Sequence, residues 1–310
     1  MKRSKKDLKM DRAILTLCIP TYNRGAALKG NIEIIAEQLK EIRDGEVEFI
    51  VSDNCSTDNT LEVVNHFIDA GIPIILNKNE SNLGSTGNFL KCINLATGKY
   101  VLLLGDDDYL APGALKYLLK CLNNKDYGLL HIDVHSPIEY PLTEFDDIND
   151  YLKKINRQLT WMSGNIFRKE IVEKVGDPTR YMNSYLLQMP FFLTSALEYS
   201  NNAITGERII EMDAGKKFKV LNGGERYGFI KVFANNFLGI LSDCFKKYDG
   251  VSKNTYSYIK RKMFEDWISK KLYKCLFSKR RDLFSNWFYA FKCYGLSGYF
   301  YKSLFGAKLK

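Results

Sequence analysis

The chain has 310 residues, 45% hydrophobic and 26% charged, the proportions of one large globular domain or one domain with an appendage. That composition excludes a disordered or low-complexity chain, and no apolar run approaches the ~18 residues needed to span a bilayer. The net charge of +9 averages two unlike parts. Residues 1–212 carry 24 Lys/Arg against 29 Asp/Glu (net −5), whereas residues 213–310 carry 21 against 7 (net +14) and hold 23 of the 41 aromatic residues. Charge and aromaticity therefore change together near residue 213, which predicts a domain over 1–212 and a separate C-terminal region over 213–310. The seven Cys are scattered without a CxxC pair, which points to a reducing compartment and argues against structural zinc. Met1 to Lys6 is basic, but the apolar stretch that follows is short and lacks a small-residue cleavage site, so a cytoplasmic protein is expected.

Taken in order, the residues predict alternating strands and helices. Residues 15–19 form a short strand closed by Pro20-Thr21-Tyr22-Asn23-Arg24. Leu28, Ile32, Ile35, Leu39 and Ile42 then mark one face of a helix over 26–42. Residues 47–51 form the second strand and run into the polar loop Ser52 to Asp58. Asp58 is placed to cap a helix over 59–70, which Gly71 ends. A third strand over 73–76, a polar loop over 77–84 and a helix over 86–95 follow. After the strand that begins at Tyr100 come a helix over 114–122 and a strand over 127–134. This alternation calls for a mainly parallel sheet covered by helices, with its polar loops on the edge where a nucleotide binds.

The sharpest feature is Tyr100-Val101-Leu102-Leu103-Leu104-Gly105-Asp106-Asp107-Asp108. A continuous apolar run, the pattern of a strand buried on both faces, ends in three carboxylates. Adjacent carboxylates repel one another unless a cation sits among them or they splay into water. They are hard oxygen ligands of the kind that hold Mg²⁺ or Mn²⁺ against a diphosphate. The plainer alternative is an acidic turn before the helix opening Ala111-Pro112-Gly113, and this stretch alone leaves both open.

Four motifs occur in sequence: Cys18-Ile19-Pro20-Thr21-Tyr22-Asn23-Arg24, Val51 through Asp58, Asn82-Leu83-Gly84 through Gly87-Asn88, and Gly105-Asp106-Asp107-Asp108. Across roughly residues 13–200 they resemble family 2 glycosyltransferases of the GT-A fold, above all bacterial enzymes of O-antigen, capsule and related surface-glycan synthesis. The resemblance implies an α/β fold, a Rossmann-like and mainly parallel sheet flanked by helices, followed by a helical, basic and aromatic C-terminal region. It implies inverting transfer of a sugar from a nucleotide-diphosphate sugar to a saccharide acceptor, lipid-linked in this class. By the same resemblance Pro20, Thr21 and Arg24 line the base and ribose, and Asn88 faces the nucleotide. Asp53 accepts a hydrogen bond from the base ring. That suits uracil or thymine, whose N3–H can donate, without excluding guanine. The family's usual Arg before Asn88 is here Gly87, so one diphosphate or ribose contact is missing or supplied elsewhere. Asp106 and Asp107 are assigned to the nucleotide sugar, and Asp107 or Asp108 to a divalent cofactor, Mn²⁺ or Mg²⁺. The register stays open, because an Asp-x-Asp-Asp alignment would place Gly105 at the first acid.

Trp161-Met162-Ser163-Gly164-Asn165 resembles the segment that closes over the donor sugar and meets the acceptor. Gly164 permits close backbone approach, and Trp161 offers a flat face to a sugar ring unless it packs in the core. The family's base, an acidic pair opening a later helix, has no counterpart, since Tyr181 through Gln188 contain no carboxylate. Asp177 is the candidate by position, although Asp177-Pro178 also reads as a turn.

In the C-terminal region Phe229-Ile230-Val232-Phe233-Phe237-Leu238-Leu241 and Tyr258-Met263-Trp267-Leu272-Leu276 suggest helices. Lys260-Arg261-Lys262, Lys270-Lys271 and Lys279-Arg280-Arg281 lie between them. Apolar stripes flanked by cations suit helices resting on the inner face of the cell membrane. A helical bundle with a basic face, or a contact between copies, is the alternative. A nucleotidyltransferase would need a Gly-rich basic phosphate loop after the first strand, which residues 20–25 lack. A nucleic-acid binder leaves the acidic triplet unexplained, so no nucleic-acid partner is expected.

Overall fold

A computed structural model of the chain describes residues 12–134, 141–212, 229–270, 272 and 283–295. The expected basic clusters at 271 and 279–281, Leu276 and the N-terminal Lys/Arg cluster lie outside the described residues.

Strands β1 (Leu15–Thr21), β2 (Val47–Asp53), β3 (Ile74–Lys78) and β4 (Tyr100–Leu103) run parallel, with β1 between β2 and β4. A three-residue strand, β5 (Asp108–Leu110), leaves the sheet after the acids. The sheet continues through β6 (Leu129–Ile132), β7 (Leu142–Phe145), β8 (Asn165–Arg168) and β9 (Asn202–Thr205) in the order β3-β2-β1-β4-β8-β6-β9-β7. β8 is antiparallel to both β4 and β6, and β7 to β9, so the sheet is mainly parallel. β5 pairs antiparallel with β10 (Ile210–Met212), bringing Met212 opposite Asp108. That short ribbon is invisible in the sequence, because three residues show no periodicity.

The two-residue period of the strands sorts their side chains into two apolar layers. Leu15, Leu17, Ile19, Tyr100, Leu102 and Leu104 enter one layer, which α1 (Gly25–Leu39), α2 (Thr60–Asp69) and α4 (Ala114–Asn124) cover with Leu28, Ile32, Val64 and Leu118. Cys18, Ile50, Val101 and Leu103 enter the other, beneath α3 (Gly84–Leu95), α5 (Ile148–Ile155) and α7 (Gln188–Glu198), with the one-turn α6 (Val172–Val175) at its rim. The expected double-sided burial of the strand at Tyr100 is thus observed.

The C-terminal helices α8 (Phe237–Phe245), α9 (Lys253–Met263) and α10 (Leu283–Tyr294) belong to this second layer. Ile230, Val232, Phe237, Leu241, Ile259, Met263, Phe264 and Leu272 are buried in one cluster with the sheet residues. The apolar stripes that suggested membrane-facing helices therefore turn inward where they are described.

Most elements start or end a few residues from the sequence reading, and two of these boundaries have a clear cause. β1 runs through Pro20 to Thr21, because its ladder with β4 ends at Cys18 and the missing proline N–H faces no partner on that side. α2 starts one residue late, at Thr60. Asp58 still serves the turn: its carboxylate accepts from the amides of Thr60 (3.0 Å) and Gly25 (3.2 Å), tying the starts of α1 and α2 together.

Candidate active site

The sheet order reverses at β1, which has β2 on one side and β4 on the other. In open α/β sheets a crevice forms beyond the carboxyl ends of the strands at such a switch point. Thr21 ends β1 there, Asp53 ends β2, and Asp106 and Asp107 follow β4. The sequence therefore delivers the polar ends of three strands to one place.

Two loops floor this crevice, and they are stitched to each other. The Asn23 amide donates to Ser56 Oγ (2.8 Å), and Asn23 Oδ1 accepts from the Thr57 amide (2.7 Å). Asn23 and Cys55 both have positive φ, 53° and 64°, a conformation Asn tolerates better than most residues. Asp53 is wholly buried and accepts from the Ser56 amide at 3.1 Å. Asn54 donates to Asn82 Oδ1 (2.8 Å) and to the Gly84 carbonyl (3.2 Å).

Asn88 is buried and uses all four of its hydrogen-bonding positions inside the protein. Oδ1 accepts from Ser52 Oγ (2.6 Å) and Asn79 (3.0 Å), while Nδ2 donates to the carbonyls of Ser52 (2.8 Å) and Thr21 (3.5 Å). It acts as a strut that fixes the ends of β1 and β2. A Cβ at neighbouring Gly87 would lie 2.7 Å from Leu83 Cβ, so the position lacks room for the family's arginine without movement of Leu83.

The three acids have different surroundings. Asp106 accepts from Thr21 Oγ1 (2.9 Å) and pairs with Arg24 Nε (2.9 Å). Burial pushes its carboxyl up to about 6, against the pull of Arg24 and Thr21. Arg24 Nη2 lies 2.7 Å from Asp107 Oδ2, an ion pair not aligned as a hydrogen bond. Asp107 itself is 55% exposed at the mouth. Asp108 accepts from Ser163 Oγ (2.5 Å) and, at longer range, from Trp161 Nε1 (3.4 Å). Burial raises its pKa as well, opposed by Ser163. Thus the cation the sequence called for among the acids is, in this structure, the Arg24 guanidinium.

Among the described residues no three His, Cys, Asp or Glu form a ready-made cage for a divalent metal. Mg²⁺-type sites on diphosphates, however, need only one or two carboxylates, with phosphate and water completing the shell. Asp107, exposed at the mouth, and Asp108 meet that requirement, so the residues fit.

The glycosyl transferase family 2 profile matches residues 16–176. The chain belongs to that family. Abequosyltransferase RfbV of Salmonella typhimurium is 31% identical over 156 residues, 47% of this chain and 46% of that protein, so the chain spans about half the length of that relative. A Campylobacter jejuni GalNAc(5)-diNAcBac-PP-undecaprenol beta-1,3-glucosyltransferase is 29% identical over 85% of this chain and 87% of its own. Among solved structures, S. aureus TarS 1-349 in complex with UDP-GlcNAc aligns with a TM-score of 0.65 at 17% identity, covering 94% of this chain and 81% of that one. Mannosyltransferase PcManGT from Pyrobaculum calidifontis, in complex with GDP-Man and Mn²⁺, aligns at 0.57 and 16% identity, covering 96% and 80%. The fold is GT-A.

In this glycosyltransferase the Trp161–Asn165 segment sits beside the acids. Ser163, fully buried, accepts from the Gly105 amide (2.9 Å) and donates to Asp108, so it joins the segment to the end of β4. A Cβ on Gly164 would lie 2.3 Å from Trp161 Cε3, so the close approach that glycine permits is that of the indole. Asn165, also buried, donates to the carbonyls of Trp161 (2.7 Å) and Gln158 (3.2 Å) and holds the loop's shape. Sequence reading passed over Ser163, whose partners are 55 and 58 residues away. Its adjacency to Gly164 was the available signal. Asp177 is exposed and caps the turn Pro178–Ser184, accepting from the Thr179 amide (2.9 Å) and hydroxyl (2.6 Å), which lowers its pKa.

Proposed function

We propose that this glycosyltransferase moves a sugar from a UDP or dTDP sugar to a saccharide acceptor on a lipid carrier, with inversion, in bacterial surface-glycan synthesis. The observation that carries the reading is the Asp106–Asp108 cluster at the β1/β4 switch point, with Thr21 and Arg24 bound to it. The name of the Campylobacter relative, which includes a PP-undecaprenol-linked saccharide, supports the acceptor class.

Pro20 and Thr21 shape the nucleotide crevice, with Asn88 bracing it from below and the buried Asp53 holding the Ser56 loop at the base end. Asp106 orients Thr21 and Arg24, and Arg24 offers its guanidinium to diphosphate oxygens. Asp107 and Asp108 would hold Mn²⁺ or Mg²⁺, which when bound neutralises the charge gathering on the leaving diphosphate. The acceptor hydroxyl attacks the anomeric carbon from the face opposite the diphosphate. The C1–O bond breaks with its electron pair leaving on the diphosphate, and the hydroxyl proton passes to a base. Asp177 is the candidate for that base, and its engagement with Thr179 makes it a weak acceptor of protons. Trp161 forms the wall facing the sugars, with Gly164 and Asn165 holding it in place from behind.

Attachment to the cytoplasmic face of the membrane is part of this reading. Its support is Phe288 and Phe291, 57% and 52% exposed on α10, together with the basic Lys260-Arg261-Lys262 end of α9, whose Lys260 lies over the Tyr294 ring of α10 at 5.6 Å. No helix among the described residues is long and apolar enough to cross a membrane. A thermal-shift panel of UDP, dTDP, GDP and their sugars, with and without Mn²⁺, tests the donor. Stabilisation by a uracil or thymine nucleotide that grows with Mn²⁺ is the expected result. No response to any of them would refute the reading.

A further inference from the structure

A cavity of about 450 Å³ lies between the loop after α5 and the C-terminal helices, lined by Arg157, Gln158, Thr160, Trp161 and Trp267. Its volume falls in the range of small-molecule sites, about 300–1,000 Å³. Two indoles offer flat apolar faces, and an amide, a hydroxyl and a guanidinium offer directed polar groups. That combination suits a pyranose, which is apolar on its C–H faces and polar around its rim.

Charge decides what kind of ring. Arg157 Nη1 lies 3.2 Å from Asp266 Oδ2, so the one cation of the lining is paired and the lining carries little net charge, which suits a neutral ring, with the buried Arg157 Nε left as a donor. Position decides which ring. Trp161 lines the cavity while its Nε1 reaches Asp108 at 3.4 Å, so an occupant sits next to the carboxylates assigned to the donor. The opposite wall is built with care. Trp267 stands on a π-helical turn, Phe264–Ile268, a rare backbone form often found at functional sites. Phe233 meets it edge-on at 5.0 Å, Phe229 packs at 6.0 Å, and the Arg157 guanidinium stacks at 5.5 Å. Gln158 is held in turn by the buried His131, whose Nε2 lies 2.9 Å from its Oε1.

We propose that this cavity seats a neutral pyranose of the acceptor between Trp161 and Trp267. The inference rests on the glycosyltransferase reading for its biological meaning, but its test does not. Saturation-transfer NMR on the full chain would use methyl β-glucopyranoside, methyl β-galactopyranoside and methyl N-acetyl-β-galactosaminide as probes. Ring protons of at least one glycoside should saturate. Thr160→Phe, which puts a ring into the cavity, should cut the signal about fivefold, as should Trp267→Leu, a loss of one aromatic contact. Circular dichroism and the UDP/Mn²⁺ thermal shift of Thr160→Phe should match wild type. No signal from any glycoside, an undiminished signal in folded Thr160→Phe, or displacement of the glycoside by inorganic phosphate would overturn the proposal. A glycoside signal without any nucleotide response would uphold the cavity and refute the donor site.

Discussion

Ser163→Ala removes one hydroxyl that serves two partners. The Gly105 amide, left buried without an acceptor, costs about 1–3 kcal/mol, and losing the charge-assisted bond to Asp108 costs about 1.5–3 kcal/mol. Because both act through one atom and the loop can relax, the net expectation is about 2–4 kcal/mol rather than the sum. Urea unfolding followed by circular dichroism should show a lower midpoint with an unchanged slope. The site should respond as well. Ser163 holds the Asp108 pKa down against burial, so its loss lets that pKa rise further. A higher pH is then needed to keep Asp108 ionised, and the midpoint for Mn²⁺-dependent stabilisation by UDP should move upward. A variant with wild-type midpoint and wild-type pH response would refute the role given to Ser163.

Gly164→Ala should drive the Trp161 indole from its seat, at an overpacking cost of about 1–3 kcal/mol, visible as a lower melting temperature and a shifted Trp emission. Asp106 holds its proton more tightly folded, at about 6, than unfolded, near 3.8. Its contribution to stability is therefore fully present below about 3.8 and lost as pH rises through about 6, and Asp106→Asn should flatten that slope in unfolding titrations. Asp177→Asn should leave UDP binding intact. If it also leaves kcat intact, Asp177 is not the base, whereas a collapse of kcat at constant donor affinity would establish it. Phe288→Ser with Phe291→Ser should reduce co-sedimentation with anionic vesicles, and equal sedimentation of both proteins would remove the support those rings give to membrane attachment.

The elements that were legible share a physical reason. Tyr100 to Leu104 is a continuous apolar run and Leu15 to Ile19 is broken only by Thr16, as strands buried on both faces require, and their polar terminations mark the same sheet edge. The three acids were legible because they have no packing role. What escaped notice was pairwise. Arg24 as the cation between Asp106 and Asp107, Thr21 on Asp106 and Ser163 on Asp108 are contacts across more than fifty residues, which spacing does not encode. The C-terminal stripes were ambiguous for a different reason. Phe237, Met263 and Phe264 look alike whether they face lipid or other helices, and they are buried against the helices that cover the sheet.

The central claim is that the carboxyl end of β4 binds a nucleotide diphosphate through a metal. Calorimetric titration of UDP into the full chain, in Mn²⁺ and then in EDTA, tests it most directly, together with Asp107→Ala and Asp108→Ala. Wild type should bind at least about tenfold more tightly with Mn²⁺, a difference of roughly 1.4 kcal/mol, and at least one of the two variants should lose that difference. Equal affinity in Mn²⁺ and EDTA, or both variants retaining the full metal effect, would contradict the account.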